Sequence, residues 1–129
     1  MKTVTIRTAK RQEMIDVTGR LREFLQEEGL ADGAVIAFTP HTTAAVTINE
    51  NADPDVRHDM LLGLAEISPD RRAFKHGEGN SDAHIKSSLV GCSELILVEE
   101  GRPILGTWQG LYFCEFDGPR NRKLIFKKV

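Results

Sequence analysis

Three of the four histidines in this chain lie in short polar segments rich in threonine, asparagine, aspartate and glutamate. His41 lies in residues 39–43, and His76 and His84 bracket residues 76–84. Imidazole is the usual proton carrier at neutral pH and the commonest metal-ligating side chain. Histidines in these surroundings therefore indicate a site that transfers protons or binds a metal ion. The fourth, His58, falls on the polar face of a predicted helix, where we expect it to be exposed.

A metal site is one outcome of this pattern. Neutral imidazoles combine with a carboxylate in many zinc sites, and Glu50, Glu78 and Asp82 are candidate carboxylates. The spacing matches no standard zinc signature, so the identity of a divalent metal ion, Mg²⁺ or Zn²⁺, stays open. The predicted ligand set is His41, His76, His84 and Asp82.

An anion site is a second outcome. His84 falls in the first turn of a helix that we expect to begin after Ser81 as its N-cap. Asn80 and His84 are four residues apart, so both side chains can point the same way. The N-terminus of a helix offers free backbone N–H groups and the positive end of the helix dipole, which together favour phosphate groups.

Two further segments could complete the site. In residues 115–120, Asp117 and Arg120 flank a Gly-Pro turn. These residues either serve the turn alone, or Arg120 binds phosphate in a bidentate fork and Asp117 binds a divalent ion or orients a histidine. Trp108, the only tryptophan, is either a core or interface aromatic or a wall on which a heterocycle stacks.

Length and charge narrow the class of protein. A chain of 129 residues predicts one domain over residues 1–129. The net charge of −2 gives no general attraction to nucleic acid or to an anionic membrane, and we predict neither as a partner. Basic residues do gather at both ends of the chain. If these ends pair as neighbouring strands they form one basic face, which is either simply solvated or attracts phosphate.

The sequence also predicts a compartment. Met1 is followed at once by an alternating strand pattern, so we expect no signal peptide, and no apolar run approaches the ~20 residues of a membrane span. Cys92 and Cys114 lie among apolar residues and are interpreted as buried free thiols, although a disulfide between them stays open. These features predict a soluble cytoplasmic protein.

Hydrophobic periodicity predicts the three helices that position these residues. The first follows Thr18 as N-cap and ends at Gly29, and the second begins at Asp53 and Pro54. The third follows Ser81, with Ile85 and Leu89 facing the core. Residues 69–80 form a long polar loop between the last two helices, a length typical of functional or mobile loops.

Strand patterns fill most of the remaining chain, and hairpin signals are frequent. About seven or eight strands with three helices favour an α+β domain with a mostly antiparallel sheet over a doubly wound parallel sheet. The strand segments are residues 2–8, 14–17, 34–38, 43–48, 94–98, 104–116 (one or two strands) and 123–127.

Five segments of the chain together resemble the YjbQ-like family, also known as secondary thiamine-phosphate synthases. They are residues 41–43, 48–56, 80–89, 105–109 and 115–120, and they follow the family's order along essentially the whole chain. The resemblance implies a curved, partly closed, sandwich- or barrel-like antiparallel sheet and a homotrimer. It also implies His41, His76 and His84 as shared histidines, with Asn80, Asp82, Trp108, Gln109, Asp117 and Arg120 at other motif positions.

The resemblance implies a transferase that joins hydroxymethylpyrimidine diphosphate to thiazole phosphate and releases pyrophosphate. The alternatives are a metal-dependent phosphate-ester hydrolase on the three histidines, and a non-catalytic trimeric binding or assembly protein. A small phosphorylated substrate is the expected partner. The expected catalytic residues are His41, His84 and Asp117, and the expected substrate-binding residues are Asn80, Lys86, Trp108, Gln109 and Arg120.

Overall fold

Eight strands and three helices make up the fold in a computed structural model that describes all residues, Met1–Val129. The helices are α1 (Thr18–Glu28), α2 (Pro54–Ile67) and α3 (Ser81–Val90). None of them is long and apolar enough to span a bilayer. The strands are β1 (Lys2–Arg7), β2 (Glu13–Asp16), β3 (Gly33–Phe38), β4 (Ala44–Glu50), β5 (Ser93–Glu99), β6 (Arg102–Pro103), β7 (Gln109–Glu115) and β8 (Asn121–Lys128).

The strands form two sheets in which every pair is antiparallel. The larger sheet has the order β1-β8-β3-β5-β6, and the smaller has the order β2-β7-β4. Pairing of β1 with β8 places Lys2 opposite Phe126 and Arg7 opposite Asn121, so the two basic ends of the chain are neighbours as the sequence suggests. The two sheets curl towards a half-barrel, and the predicted α+β fold with a curved antiparallel sheet is confirmed.

The smaller sheet is the middle layer, because both of its faces are buried. On β7, Leu111 and Phe113 enter a core shared with the larger sheet and α1. The alternate residues, Tyr112 and Cys114, enter a second core that contacts α2 and α3. Successive side chains of a strand point to opposite faces, so β7 contributes to both layers at once. This arrangement holds α3 against the sheet that carries the polar loops.

Two of the three predicted helix starts are one residue off. Val17 and Asn80 occupy the N-cap positions of α1 and α3, and neither makes a side-chain cap hydrogen bond. Thr18 is already helical, and its backbone N–H and its hydroxyl both donate to Asp16 while the hydroxyl accepts from the backbone N–H of Leu111. The third start is confirmed: the Asp53 side chain accepts from the backbone N–H of Asp55, with proline at the first helical position.

Helix α3 buries a polar face, contrary to the prediction that Ile85 and Leu89 face the core. Those two side chains are 39% and 59% exposed, whereas Asp82 and Lys86 are buried. The buried charges are tolerated because Lys86 Nζ lies 3.3 Å from Asp82 Oδ2. The expectation that both cysteines are buried is also half wrong, since Cys92 is exposed and Cys114 is buried, and both are free thiols.

Candidate functional site

A polar cleft of about 400 Å³ brings the three predicted histidines together. None of its lining side chains is hydrophobic, which sets it apart from the packed layers beneath it. We call it the histidine cleft. Its lining residues are Pro40, His41, Thr42, Thr43, His76, Glu78, Asn80, His84, Arg120 and Arg122.

Four separate parts of the chain supply the cleft. His41 lies in the turn between β3 and β4, His76 in the loop between α2 and α3, and Arg120 in the loop between β7 and β8. His84 lies in the first turn of α3. The rings of His76 and His84 meet edge to face, with centroids 5.5 Å apart and an interplanar angle of 84°. The predicted convergence of these polar segments is therefore present in the structure.

His41 has a defined hydrogen-bonding state. The backbone N–H of Lys123 donates to its Nε2 at 2.8 Å. A neutral imidazole that accepts at Nε2 carries its proton on Nδ1. Burial, and then the positive charge of Arg122, lower the pKa of His41 below its usual value, and Glu115 opposes this only in part. At neutral pH the ring is thus an uncharged donor through Nδ1.

A buried ion pair forms the floor beneath His41. Arg122 Nε donates to the two carboxylate oxygens of Glu115 at 2.9 and 3.1 Å, and its Nη2 donates to Thr43 Oγ1 at 2.8 Å. Thr8 Oγ1 donates to the same carboxylate at 2.8 Å. Burial alone would raise the pKa of Glu115, but the hydrogen bonds from Arg122, Thr8 and the Asp117 backbone hold it below its usual value. The carboxylate therefore stays ionised and fixes Arg122 in place.

A second chain of hydrogen bonds fixes the opposite side of the cleft. Asn80 Nδ2 and Arg120 Nη2 both donate to Asp117 Oδ2 at 2.7 Å. Asp117 does not line the cleft itself; it orients two residues that do. The Arg120 side chain is 49% exposed, so its guanidinium can reach an anion. Because the Asn80 amide nitrogen faces the carboxylates of Asp117 and Glu78, its Oδ1 is the buried atom left without a partner.

The predicted metal-ligand set does not assemble within one chain. Asp82 is buried away from the cleft, with Oδ1 3.3 Å from Arg11 Nη2 and Oδ2 3.3 Å from Lys86 Nζ. The Nε2 of His41 is already an acceptor for Lys123. No three His, Cys, Asp or Glu side chains are positioned to hold a metal ion. Within one chain these residues do not fit Mg²⁺ or Zn²⁺, and Asp82 lies in a structural ion pair instead.

Three predicted substrate-binding residues also lie outside the cleft. Lys86 is only 1% exposed, and its ammonium group is paired with Asp82. Trp108 is 61% exposed, and Gln109 Oε1 accepts from the backbone N–H of Gly106, which closes their loop. Within one chain none of these three residues lines the cleft with the histidines.

Sequence reasoning missed the charged floor of the cleft. Arg122 lies two and four residues before Leu124 and Phe126, which are both fully buried. In a strand, residues two apart share a face. A basic residue on the buried face of β8 was therefore a readable signal for a paired internal charge, although its partner Glu115 is not identifiable from the sequence.

A larger cavity of about 770 Å³ lies elsewhere, between the end of α1 and the β5–β6 hairpin. It contains no histidine and none of the predicted site residues. Arg22, Arg102 and Glu100 contribute charge to its lining, but the cavity combines no proton carrier with a defined hydrogen-bond network. The histidine cleft is therefore the better candidate on chemistry, although it is the smaller of the two.

Comparison with known proteins places the whole chain in one group. Residues 2–129 match the family described as UPF0047 protein YjbQ-like. The UPF0047 protein YugU of Bacillus subtilis is 56% identical over 130 residues, covering 100% of this chain and 98% of that protein. A UPF0047 protein of Methanocaldococcus jannaschii is 52% identical over 124 residues, covering 96% and 90%.

Solved structures of related proteins have the same fold as this chain. An uncharacterized conserved protein of the YjbQ/UPF0047 family from Clostridium acetobutylicum has a TM-score of 0.97 at 48% identity, with 100% of both chains covered. The hypothetical protein APE1520 from Aeropyrum pernix has a TM-score of 0.94 at 36% identity, covering 99% of this chain and 96% of that one. The fold described above is shared along its full length by these proteins.

Proposed function

The chain belongs to the YjbQ-like UPF0047 family, and from that premise we propose that it is a small-molecule enzyme that binds a phosphorylated substrate in the histidine cleft. One observation carries the proposal: His41, His76, His84 and Arg120 converge on a cleft with no hydrophobic lining. Imidazole N–H groups and a guanidinium are donors suited to phosphate oxygens. Their number in one small cleft favours a ligand that carries negative charge.

The specific reaction we propose is that of a thiamine-phosphate synthase-like transferase. It joins hydroxymethylpyrimidine diphosphate to thiazole phosphate and releases pyrophosphate. Charge accumulates on the leaving pyrophosphate, and preorganised donors placed where charge develops are effective in catalysis. Arg120 and His84 are assigned to the phosphate oxygens, and the neutral His41 to a hydrogen bond through Nδ1–H. Asp117 orients Arg120 through the 2.7 Å hydrogen bond.

A hydrolase that uses a three-histidine metal site has less support. Such a site needs ligand atoms at ~2.0–2.1 Å from one point, and the required group of side chains does not converge within one chain. The transferase proposal needs only the donors that already line the cleft.

We also propose that the chain assembles as a homotrimer through the outer face of the larger sheet. Leu95 and Leu97 of β5 are 58% and 56% exposed, and Ile104, whose backbone N–H donates to the Leu97 carbonyl, is 53% exposed. An apolar group of this kind on a sheet face is typical of subunit contacts. Light scattering after chromatography tests this, and Leu97→Asp should give a smaller particle than the wild-type chain.

The free thiols support a cytoplasmic location for this enzyme. Neither Cys92 nor Cys114 is disulfide-bonded, and unpaired cysteines are usual in reducing compartments.

The transferase proposal is tested with the two named substrates. The purified chain is incubated with hydroxymethylpyrimidine diphosphate and thiazole phosphate, and released pyrophosphate is measured. We expect release that requires both substrates and falls at least a hundredfold in Arg120→Ala. Absence of release from the folded wild-type chain would refute the transferase activity and leave the phosphate-binding cleft as a separate question.

A further inference from the structure

The cavity of about 770 Å³ between the end of α1 and the β5–β6 hairpin takes no part in the proposed reaction. We call it the hairpin cavity. Its volume lies within the range of ~300–1,000 Å³ that is usual for ligand sites. Arg22 and Gln26 line it from α1, where their spacing of four residues places both side chains on one face of the helix. Leu30, just after the helix, and Pro103 of β6 add apolar surface.

Backbone hydrogen bonds hold the walls of the hairpin cavity together. Helix α1 ends at Gly29 in the left-handed conformation, with a φ of 59°, and the N–H of Leu30 donates to the Leu25 carbonyl. The N–H of Gly101, at the tip of the hairpin, donates to the Ala31 carbonyl at 2.8 Å. The hairpin is thereby fixed against the residues that follow α1, so the cavity is formed before a ligand enters it.

Three charged side chains of the lining, Arg22, Glu100 and Arg102, form no ion pair within the chain. The acidic residues of α1 are paired with other cations: Glu23 with Arg20, Glu27 with Lys2 and Glu28 with Lys128. Glu100 contacts a side chain only through its backbone N–H, which donates to Asp32 Oδ1 at 3.4 Å. Two guanidinium groups and one carboxylate are therefore available to a ligand in the cavity.

The edge of β6 excludes one kind of ligand. β6 is the last strand of the larger sheet, so only one of its sides is paired. Arg102 pairs with Glu99 of β5, and the N–H of Ile104 donates back to the same strand. The backbone of the residue between them, Pro103, therefore faces away from β5, and proline has no N–H to offer a further strand. A ligand in the hairpin cavity is held by side chains and not by extension of the sheet.

Glu100 adopts a backbone conformation that its residue type disfavours. It is the one residue other than glycine with a positive φ, 51°, and Gly101 follows with a φ of 74°. Positive φ at both central residues defines a two-residue hairpin turn that prefers Asn-Gly, Asp-Gly or Gly-Gly. Residues held in such disfavoured conformations cluster at ligand-binding positions. A glutamate at this point of the turn therefore supports a role of its carboxylate in binding.

We propose that the hairpin cavity binds a small aliphatic zwitterion, which is a free aliphatic amino acid or a short peptide of such residues. Arg22 and Arg102 bind its carboxylate, because a guanidinium donates to carboxylate oxygens in a fork. Glu100 accepts from its ammonium group, and Leu30 and Pro103 pack against its aliphatic group. This site is independent of the reaction proposed for the histidine cleft, and the two cavities share no lining residue.

Calorimetry on the full-length chain tests the site with two parent ligands, leucine and leucylleucine. Each is compared with its N-acetyl derivative, which lacks the ammonium group, and with its amide, which lacks the carboxylate. We expect the tighter parent ligand to bind the wild-type chain at least tenfold more tightly than both of its derivatives, and its length then identifies an amino acid or a peptide. His84→Ala should bind this ligand as the wild-type chain does. Binding of neither parent ligand, or equal binding of a parent ligand and its derivatives, would overturn the proposal.

Glu100→Asn separates binding from folding. Asparagine is favoured at this position of the turn, so the melting temperature should not fall. The affinity for the tighter parent ligand should fall at least fivefold, and that for its N-acetyl derivative should stay within twofold. Glu99→Gln is the control, because Glu99 is the preceding residue, is exposed and does not line the cavity; it should keep the wild-type affinity. Unchanged affinity for the parent ligand in Glu100→Asn would contradict the proposal.

Arg22→Gln tests the carboxylate end of the ligand. It should weaken binding of the parent ligand and of its N-acetyl derivative at least fivefold, and leave that of the amide within twofold. Arg20→Gln is the matched control on the same helix, because Arg20 pairs with Glu23 and does not line the cavity. It should bind all three compounds as the wild-type chain does. Equal weakening in the two variants would show a general effect of lost positive charge and would contradict the site.

Discussion

The backbone N–H of Lys123 lies 2.8 Å from Nε2 of His41 and donates a hydrogen bond to it. Strand β8 carries this donor: Lys123 pairs with Thr5 of β1, and β8 pairs with β3 from Ile125 onward. A donor in the middle of a sheet cannot move aside cheaply, so the hydrogen bond sets the tautomer of His41. The same hydrogen bond explains why His41, which the sequence predicted as a metal ligand, is an uncharged ring whose Nε2 is already occupied.

The tautomer of His41 can be observed directly. We expect the ¹⁵N spectrum of the folded chain at pH 7.5 to show His41 with its proton on Nδ1 and an unprotonated Nε2. The physical reason is that Nε2 must accept from the Lys123 amide. His41→Asn identifies the resonance. A ring found protonated at Nε2 would contradict the arrangement.

The lowered pKa of His41 gives a pH dependence of defined sign. The unfolded chain has an ordinary histidine pKa of ~6.5, and burial first, then Arg122, place the folded pKa below that. In the interval between the two values the unfolded state binds more protons, so stability is full above the unfolded pKa and falls as the pH falls. Urea unfolding at pH 7.5 and pH 5.5 should show a smaller loss for His41→Asn than for the wild-type chain. An equal loss of stability in the wild-type chain and in His41→Asn would show that the pH dependence does not come from His41.

Removing the Glu115 carboxylate, the partner of buried Arg122, should lower the free energy of unfolding. Glu115→Gln leaves Arg122 charged and only 3% exposed without a carboxylate, which usually destabilises by about 3–5 kcal/mol. Glu27→Gln is the control, since its ion pair with Lys2 is at the surface and should contribute about 0–1 kcal/mol. Urea denaturation measures both. Equal losses of stability in the two variants would contradict the larger contribution expected of the buried Glu115–Arg122 pair.

Gly118 is required by close contact with another backbone. A Cβ at this position would lie 2.3 Å from the Lys10 carbonyl oxygen and 2.8 Å from Glu115 Cγ. Gly118→Ala should therefore destabilise by about 1–3 kcal/mol, as overpacking usually does. Gly63 lies inside α2, and a Cβ at this position would meet no atom within 4 Å. Gly63→Ala should therefore stabilise the chain by about 0.5–1 kcal/mol. The melting temperatures of Gly118→Ala and Gly63→Ala should shift in opposite directions from that of the wild-type chain.

The sequence predicted the parts of the site that depend on local chemistry. The segments that contain His41, His76 and His84 were identifiable because each is a short polar run in a loop or at the start of a helix. Asp117 and Arg120 were grouped correctly because they belong to one short loop, in which Asp117 orients Arg120 and Arg120 lines the cleft. The helix start at Asp53 was predictable because the cap and the following proline act on adjacent residues.

The errors arose where distant residues decide the outcome. Ile85 and Leu89 look like a core face only if α3 buries apolar residues, and instead the helix buries Asp82 and Lys86 as an ion pair. The i, i+4 spacing of this pair is readable from the sequence, but no local pattern shows that the charged face of α3 is the buried one. Trp108 was grouped with the site through the family resemblance, yet its loop is held elsewhere by Asn51, whose backbone N–H donates to the Trp108 carbonyl at 2.8 Å.

The most direct test of the central claim is calorimetric titration of inorganic pyrophosphate into the wild-type chain and into His84→Ala. Both should be folded, because His84 is only partly buried and faces the polar cleft. We expect the wild-type chain and His58→Ala, altered at an exposed position on α2, to bind alike, and His84→Ala to lose detectable binding. Undiminished binding by His84→Ala, or none by the wild-type chain, would contradict the account of the histidine cleft as a phosphate site.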